Sequence, residues 1–361
     1  MIDLKEPPKQ QAVLRMKKKS LIIGLSVTAI LLLSNTTTSF AQKDISGLFK
    51  STPDDSRRLI ESYLNPLFKG FGSGLSAGWY NTAKTKKLGH FELRISAGGA
   101  FVPAADKSFD ITQIGLSSNI TPSNPQSTVA PTVAGDKNTI PPQIDIHASG
   151  QPIIQNLNLP QGAGLFVVPA PQIQATVGLP KGVDVSLRLM PKIKLGDAGS
   201  VYMIGGGVRL NIGQLIKAKV VTKLPFDLAV AAGYTQFHYN LPLDVQAPGT
   251  NYTDQSLDGR ISGFNLEGII SKRLLFFTPF VSVGYQSSRT KVNLIGDYPI
   301  EIGNGNYVTY HDPISIDKRY LSGLRADIGF QLQLLLLRVY GSYSLAAYNS
   351  VNVGIGLGIG K

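Results

Sequence analysis

From Val183 to Leu195 the side chains alternate almost without fault. Val183, Val185, Leu187, Leu189, Pro191, Ile193 and Leu195 share one face, and Asp184, Ser186, Arg188, Met190, Lys192 and Lys194 the other. Successive Cβ atoms point to opposite faces in a strand, so a period of two predicts one. After Gly196-Asp197-Ala198-Gly199-Ser200 the pattern resumes, with Tyr202, Ile204, Val208, Leu210 and Ile212 opposed to Gly205, Gly207, Arg209 and Asn211. These strands exceed the five or six residues usual in globular proteins. An oily row opposed to a charged row over that length suits a closed barrel, with lipid outside and a wet lumen inside.

Composition is compatible with this. Charged residues make up only 16% of the chain, yet after Leu33 no second long apolar run occurs. A transmembrane barrel disperses its apolar residues at every other position. A soluble all-β sandwich does the same, so composition leaves both open. There is no cysteine, which excludes disulfides, thiolate catalysis and thiolate metal sites. The formal charge is +12, but the basic residues are scattered singly along strands, which gives nucleic-acid binding little support.

Residues 1–41 read as a signal peptide. Met16-Lys17-Lys18-Lys19 is a basic start, Leu21 to Leu33 an apolar core, and Ser39-Phe40-Ala41 a small-x-small cleavage site. Met1 to Arg15 lacks that logic, so Met16 is the expected start. The apolar core is shorter than the ~20 residues of a membrane-spanning helix.

Residues 42–70 read as a periplasmic segment with an amphipathic helix. Thr52 is its N-cap, Pro53 opens the first turn, and Asp54 and Asp55 oppose the dipole. Leu59, Ile60, Tyr63, Leu64, Leu67 and Phe68 follow at helical spacing, Pro66 bends or shortens the helix, and Gly70 ends it. The helix is expected to cap the barrel base, the alternative being a plug.

The barrel is expected over 71–361. Strands are read at 72–81, 90–102, 108–116, 164–178, 183–195, 202–212, 225–239, 258–271, 275–291, 318–334, 338–347 and 350–360. The fold expected is therefore all-β: a closed antiparallel transmembrane barrel of about twelve strands. Links at 82–89, 117–163, 195–199, 241–257 and 292–317 fall on one side, shorter or helical ones on the other. Outer-membrane barrels have even strand numbers, short periplasmic turns and long outer loops. The stretch 117–163 is long enough to be a functional outer loop.

Several short motifs are family-like: Gly78-Trp79-Tyr80-Asn81-Thr82-Ala83, Phe166-Val167-Val168-Pro169-Ala170-Pro171, Gly178-Leu179-Pro180-Lys181-Gly182, and Leu224-Pro225-Phe226-Asp227 with Gly233-Tyr234-Thr235. They resemble an uncharacterised family of exported Gram-negative proteins. That resemblance spans most of the chain beyond the leader and implies an outer-membrane barrel, with no activity or site residue to carry over. A helix before a barrel is also loosely similar to long-chain fatty-acid transporters.

Candidate functional residues are those read onto the inner face. Glu92, Asp184, Asp227, Glu267 and Asp327 stand there with Arg94, Arg188, Arg209, Arg325 and Arg338. They line a lumen either as a solute filter or as ion pairs that fill it, since buried charges must be paired. The bare row Gly354, Gly356, Gly358 and Gly360 implies something bulky against the last strand, either the N-terminal helix or a loop folded inward. His90, His147, His238 and His311 fall at the outer rim without ligand spacing. Trp79, Tyr80, Tyr234, Tyr285, Tyr320 and Tyr343 toward the outer side, and Phe101, Phe226, Phe276 and Phe277 toward the inner, suit interfacial belts.

No enzyme motif, cofactor loop or metal motif occurs. The reading is an outer-membrane barrel acting as a channel or transporter for small or hydrophobic solutes. Alternatives are a surface-exposed structural or adhesive barrel with a filled lumen, a barrel enzyme, and a soluble periplasmic β protein. Expected partners are outer-membrane lipid, the machinery that inserts such barrels, and an unidentified solute.

Overall fold

The computed structural model describes residue 48 and residues 51–148, 150–196, 199–216, 224–303 and 306–358. The expected leader lies outside them.

Ten strands close into one antiparallel barrel. They are β1 (Phe91–Phe101), β2 (Val167–Leu179), β3 (Val183–Lys194), β4 (Ser200–Asn211) and β5 (Asp227–Pro242), followed by β6 (Ser256–Ser271), β7 (Phe277–Ile295), β8 (Ile314–Leu334), β9 (Leu337–Leu345) and β10 (Ser350–Gly358). Each pairs with its sequence neighbour, and β1 closes the ring on β10 with Arg94 opposite Gly356. One end, the base, carries the links 180–182, 212–226, 272–276 and 335–336; the first of the longer ones opens with the short helix α2 (Ile212–Ile216). The other end carries 102–166, 243–255 and 296–313 with the tighter 195–199 and 346–349.

The two faces separate as the alternation predicts. On β3, Asp184 and Arg188 are fully buried, while Val185, Leu187 and Leu189 are more than 40% exposed. All ten strands place exposed apolar side chains outward, from Leu93 on β1 through Val283 on β7 and Leu324 on β8 to Ile355 on β10. That makes a continuous oily girdle. Among the described residues no helix is long and apolar enough to cross a membrane.

Two expected strands are absent, so the barrel has ten rather than twelve. Residues 72–76 complete a helix and 77–81 run inside the lumen. Of 108–116 only Ser108–Asp110 is a strand, paired with Val129–Pro131 outside the barrel. Removing two strands preserves the direction of every later one but reverses β1. Residues 82–89 therefore lie at the base rather than among the long loops. His90 joins them, its carbonyl accepting from Gly178 N–H at 2.9 Å.

Helix α1 (Pro53–Ser76) begins as expected, with the Thr52 side chain accepting from Asp55 N–H at 3.4 Å. It does not stop at Gly70; it runs through Pro66 to Ser76. Twenty-four residues make a rod about 36 Å long. Instead of capping the base, it packs against β1, β2, β5, β6, β7 and β8, inside the barrel. Gly70, Gly72 and Gly74 are poor helix formers, each costing about 1 kcal/mol against alanine. They persist because the wall is too close for anything larger. A Cβ on Gly70 would lie 2.4 Å from Val168 Cγ2, and one on Gly74 2.5 Å from Ala170 Cβ. Phe71 stacks on Phe237 at 5.3 Å, and Phe68 meets Tyr320 at 5.0 Å.

The excursion 102–166 clasps the upper half of α1. It contains the strands Ile120–Pro122, Gln143–Ala148 and Gln151–Asn158 in one small sheet. Asp55 accepts from Ser117 N–H and Oγ at 2.8 and 2.7 Å, Tyr63 donates to Gln161 O at 2.9 Å, and Lys69 pairs with Asp106 at 2.9 Å. Tyr348, in the β9–β10 link, also donates to Asp106, and burial pushes its hydroxyl pKa up.

Candidate functional site

The lumen wall and the segment 67–86 form one polar assembly. Its upper part is the small-residue face of α1. Below Ser76 the chain leaves the helix, turns at Gly78 with φ +63°, and descends to the base. Gly78 stands where a Cβ would be 2.7 Å from the Asn352 amide.

Two arginines hold this segment without a carboxylate. Arg188 donates to Leu75 O, Ala77 O and Gln174 Oε1, each at 2.9 Å, and its guanidinium lies 3.7 Å from the Trp79 ring centroid. Leu75 and Ala77 end α1, so the cation meets the negative pole of the helix and its unpaired carbonyls. Arg94 donates to Gly78 O, Trp79 O, Asn81 Oδ1 and Gln174 Oε1 at 2.5–2.9 Å. Trp79 sits in a cradle of glycines: a Cβ on Gly207 or Gly233 would come within 2.6 or 2.3 Å of its ring. Thus the glycines of β4 and β5 make room for the indole.

Most of the remaining charges pair. Arg209 bonds Asp184, its register partner across β3 and β4, and donates to Thr82 O. Asp184 also accepts from Lys86 N–H at 2.9 Å. Glu92 accepts from Arg338, Lys86 Nζ and Tyr340 Oη, all at 2.6 Å. Arg325 grips Asp327 through two nitrogens, and Ser282 Oγ bridges Asp327 and Glu267 at 2.9 and 2.8 Å. Nine of the ten candidate residues are thus buried in the lumen. Asp227 is only half-buried, at the foot of β5.

Over the bare row of the last strand lies neither the N-terminal helix nor an inward loop, but the side chains of neighbouring wall strands. Tyr340 and Arg338 of β9 reach over Gly356 and Gly358, with Arg338 Nη1 2.0 Å from where a Cβ would stand on Gly358. Trp79 and Tyr80 are lumen residues, 1% and 4% exposed, not members of an outer belt. Phe101 lies at the long-loop end rather than the base, a consequence of the reversed β1. Lys86, Gln174, Tyr340 and Ser282 belong to the site but were not singled out. Gln174, Ser282 and Tyr340 stand on inward rows and were readable from alternation; Lys86 was not, because it precedes the strands. Among the described residues no group of three His, Asp or Glu side chains is placed to hold a metal.

This arrangement, a barrel preceded by a segment that occupies its own lumen, runs from Pro53 to Gly358, and a family match covers residues 16–359. The chain belongs to DUF6588, a family of unknown function. No curated protein matches this DUF6588 member. Among solved structures it is similar to Ail, the attachment invasion locus protein of Yersinia pestis, at 10% identity and TM-score 0.27 over 76% of this chain and 100% of that one. The translocator domain of autotransporter NalP from Neisseria meningitidis gives 10% and 0.30 over 85% and 98%. The Pseudomonas putida toluene transporter TodX gives 9% and 0.26 over 82% and 75%. At these scores the likenesses carry no functional argument.

Proposed function

We propose that this DUF6588 protein is an outer-membrane barrel whose lumen is closed by its own N-terminal segment, and that it works as a surface-exposed structural or docking barrel. The observation that carries this reading is the occupied lumen. Segment 67–86 runs through it, tied to the wall by Arg94, Arg188 and Arg209. A pore needs a continuous water path, and these side chains are instead spent on the plug's carbonyls. The oily girdle supports a lipid setting, because monomeric soluble proteins rarely expose apolar patches beyond a few hundred Å². Long loops mark the outer side of such barrels. In that orientation the excursion 102–166 and the hairpin of Asp297–Gly303 with Asn306–His311 face the medium.

The experiment is reconstitution of the folded protein into planar bilayers. Absence of conductance steps is the expected result. Stable, reproducible steps in wild-type protein would return the solute-channel reading to first place.

A further inference from the structure

The wall formed by β6, β7 and β8 changes character sharply with height. Its lower outward rows are apolar: Ile270, Val281 and Ile328 lie side by side, and Leu266, Tyr285 and Leu324 form the row two above. Phe264, Ser287 and Ser322 come next. Then the register places Ser262, Arg289 and Arg319 in one row, and Arg260, Lys291 and Asp317 in the row above it. All six charged and polar positions except Ser262 are exposed.

The height is informative. Arg260 is ten residues along β6 from Ile270. At about 3.4 Å per residue and a tilt of about 40°, that is roughly 26 Å along the barrel axis, the height of an outer-membrane apolar band. The four cations therefore stand where acyl chains give way to headgroups, at the long-loop end.

Their mutual placement asks for an anion. Arg289 lies directly opposite Arg319 and Arg260 directly opposite Lys291. Like charges facing one another across strands are unfavourable. One acid answers them: Asp317 bonds Arg289 and accepts from Lys291 at 2.8 Å. Arg260 and Arg319 take part in no ion pair among the described residues. Guanidinium forks match phosphate oxygens in pairs, which makes arginine the side chain for planar recognition of a phosphate.

We propose that this patch binds the phosphate-bearing headgroup of a lipid in the leaflet at the long-loop end. The inference rests on the membrane-barrel reading above and adds a ligand class and a site to it. Acyl chains lie along the Leu266–Tyr285–Leu324 wall, while the phosphate sits between the two cationic rows, about 7 Å apart.

The test uses the full protein in phosphatidylcholine vesicles doped with phosphatidic acid or with diacylglycerol of the same chains. Lipid retained after mild detergent extraction is read by native mass spectrometry. Wild-type protein is expected to retain phosphatidic acid and not diacylglycerol. The double variant Arg289→Gln/Arg319→Gln is expected to lose about thirtyfold in retention, and Arg260→Gln/Lys291→Gln on the second row about the same. Equal retention of both lipids by wild type overturns the proposal without recourse to any variant. So does full displacement of phosphatidic acid by millimolar inorganic phosphate, which marks a plain anion site. Protein that fails to enter vesicles at all overturns the membrane reading; protein that enters but shows no phosphate preference overturns only this inference.

Discussion

Arg188 answers its charge with two helix-end carbonyls, a glutamine and an indole face, all out of water. Replacing it with methionine removes a costly buried cation but leaves those acceptors unsatisfied, and each orphan costs about 1–3 kcal/mol. The orphans outweigh the relief. Arg188→Met is expected to lower stability by about 3 kcal/mol in urea unfolding of the reconstituted barrel. A loss under about 1 kcal/mol would show that the plug is held elsewhere. Gly72 presents the opposite problem. Alanine there gains about 1 kcal/mol of helix propensity. Its Cβ would fall 1.9 Å from Ser288 Oγ and 2.4 Å from Ser288 Cβ. Overpacking of that kind costs about 1–3 kcal/mol, so Gly72→Ala is expected to destabilise and Ser288→Gly to restore it in the double variant.

Among the elements, the strands were readable and the plug was not. Alternation on β3 and β4 predicts both the faces and the inward position of Asp184, Arg188 and Arg209, because a closed sheet imposes its period on every residue. Segment 70–81 defeats the same logic. Its glycines signal a helix end by propensity, and its small residues alternate well enough to pass for a strand. What decides its conformation is the narrow space between β2 and β7, which no local pattern records. The carbonyl partners of Arg94 and Arg188 were unreadable for the same reason: a backbone acceptor leaves no mark in sequence. The outer hairpin offers a pH test at this scale. His311 Nδ1 bonds the Asp297 carboxylate at 2.9 Å across the hairpin's first pair. That bond, with Asp312 nearby, raises the pKa of His311 above its ordinary 6.5. A raised folded pKa stabilises fully below the unfolded value and is lost as pH rises through the folded one. Amide exchange over Asn306–Tyr310 is therefore expected to be slower at pH 5.5 than at pH 8.5, after correction for intrinsic rates. His311→Gln should abolish the difference.

For the whole molecule, the decisive quantity is the sidedness of the wall. Leu324 is 79% exposed and lies in the middle of the apolar rows. Arginine at a lipid-facing midplane position costs about 2–4 kcal/mol. Leu324→Arg is expected to cost that much in folding into vesicles while changing little in detergent-denatured baselines, and Ser315→Arg, beyond the charged rows, close to nothing. Equal effects at both sites would place the girdle against something other than hydrocarbon.

The seam between β1 and β10 acquires a further meaning from the course of residues 53–90. Because this stretch enters at one mouth and rejoins the wall at the other, it lies antiparallel to β1 and is tethered to its foot. Threading it into a finished ring would require drawing the chain that precedes it through the bore. Seating this stretch before the seam between β1 and β10 closes avoids that passage, so the topology favours an assembly in which the ring shuts around its own contents.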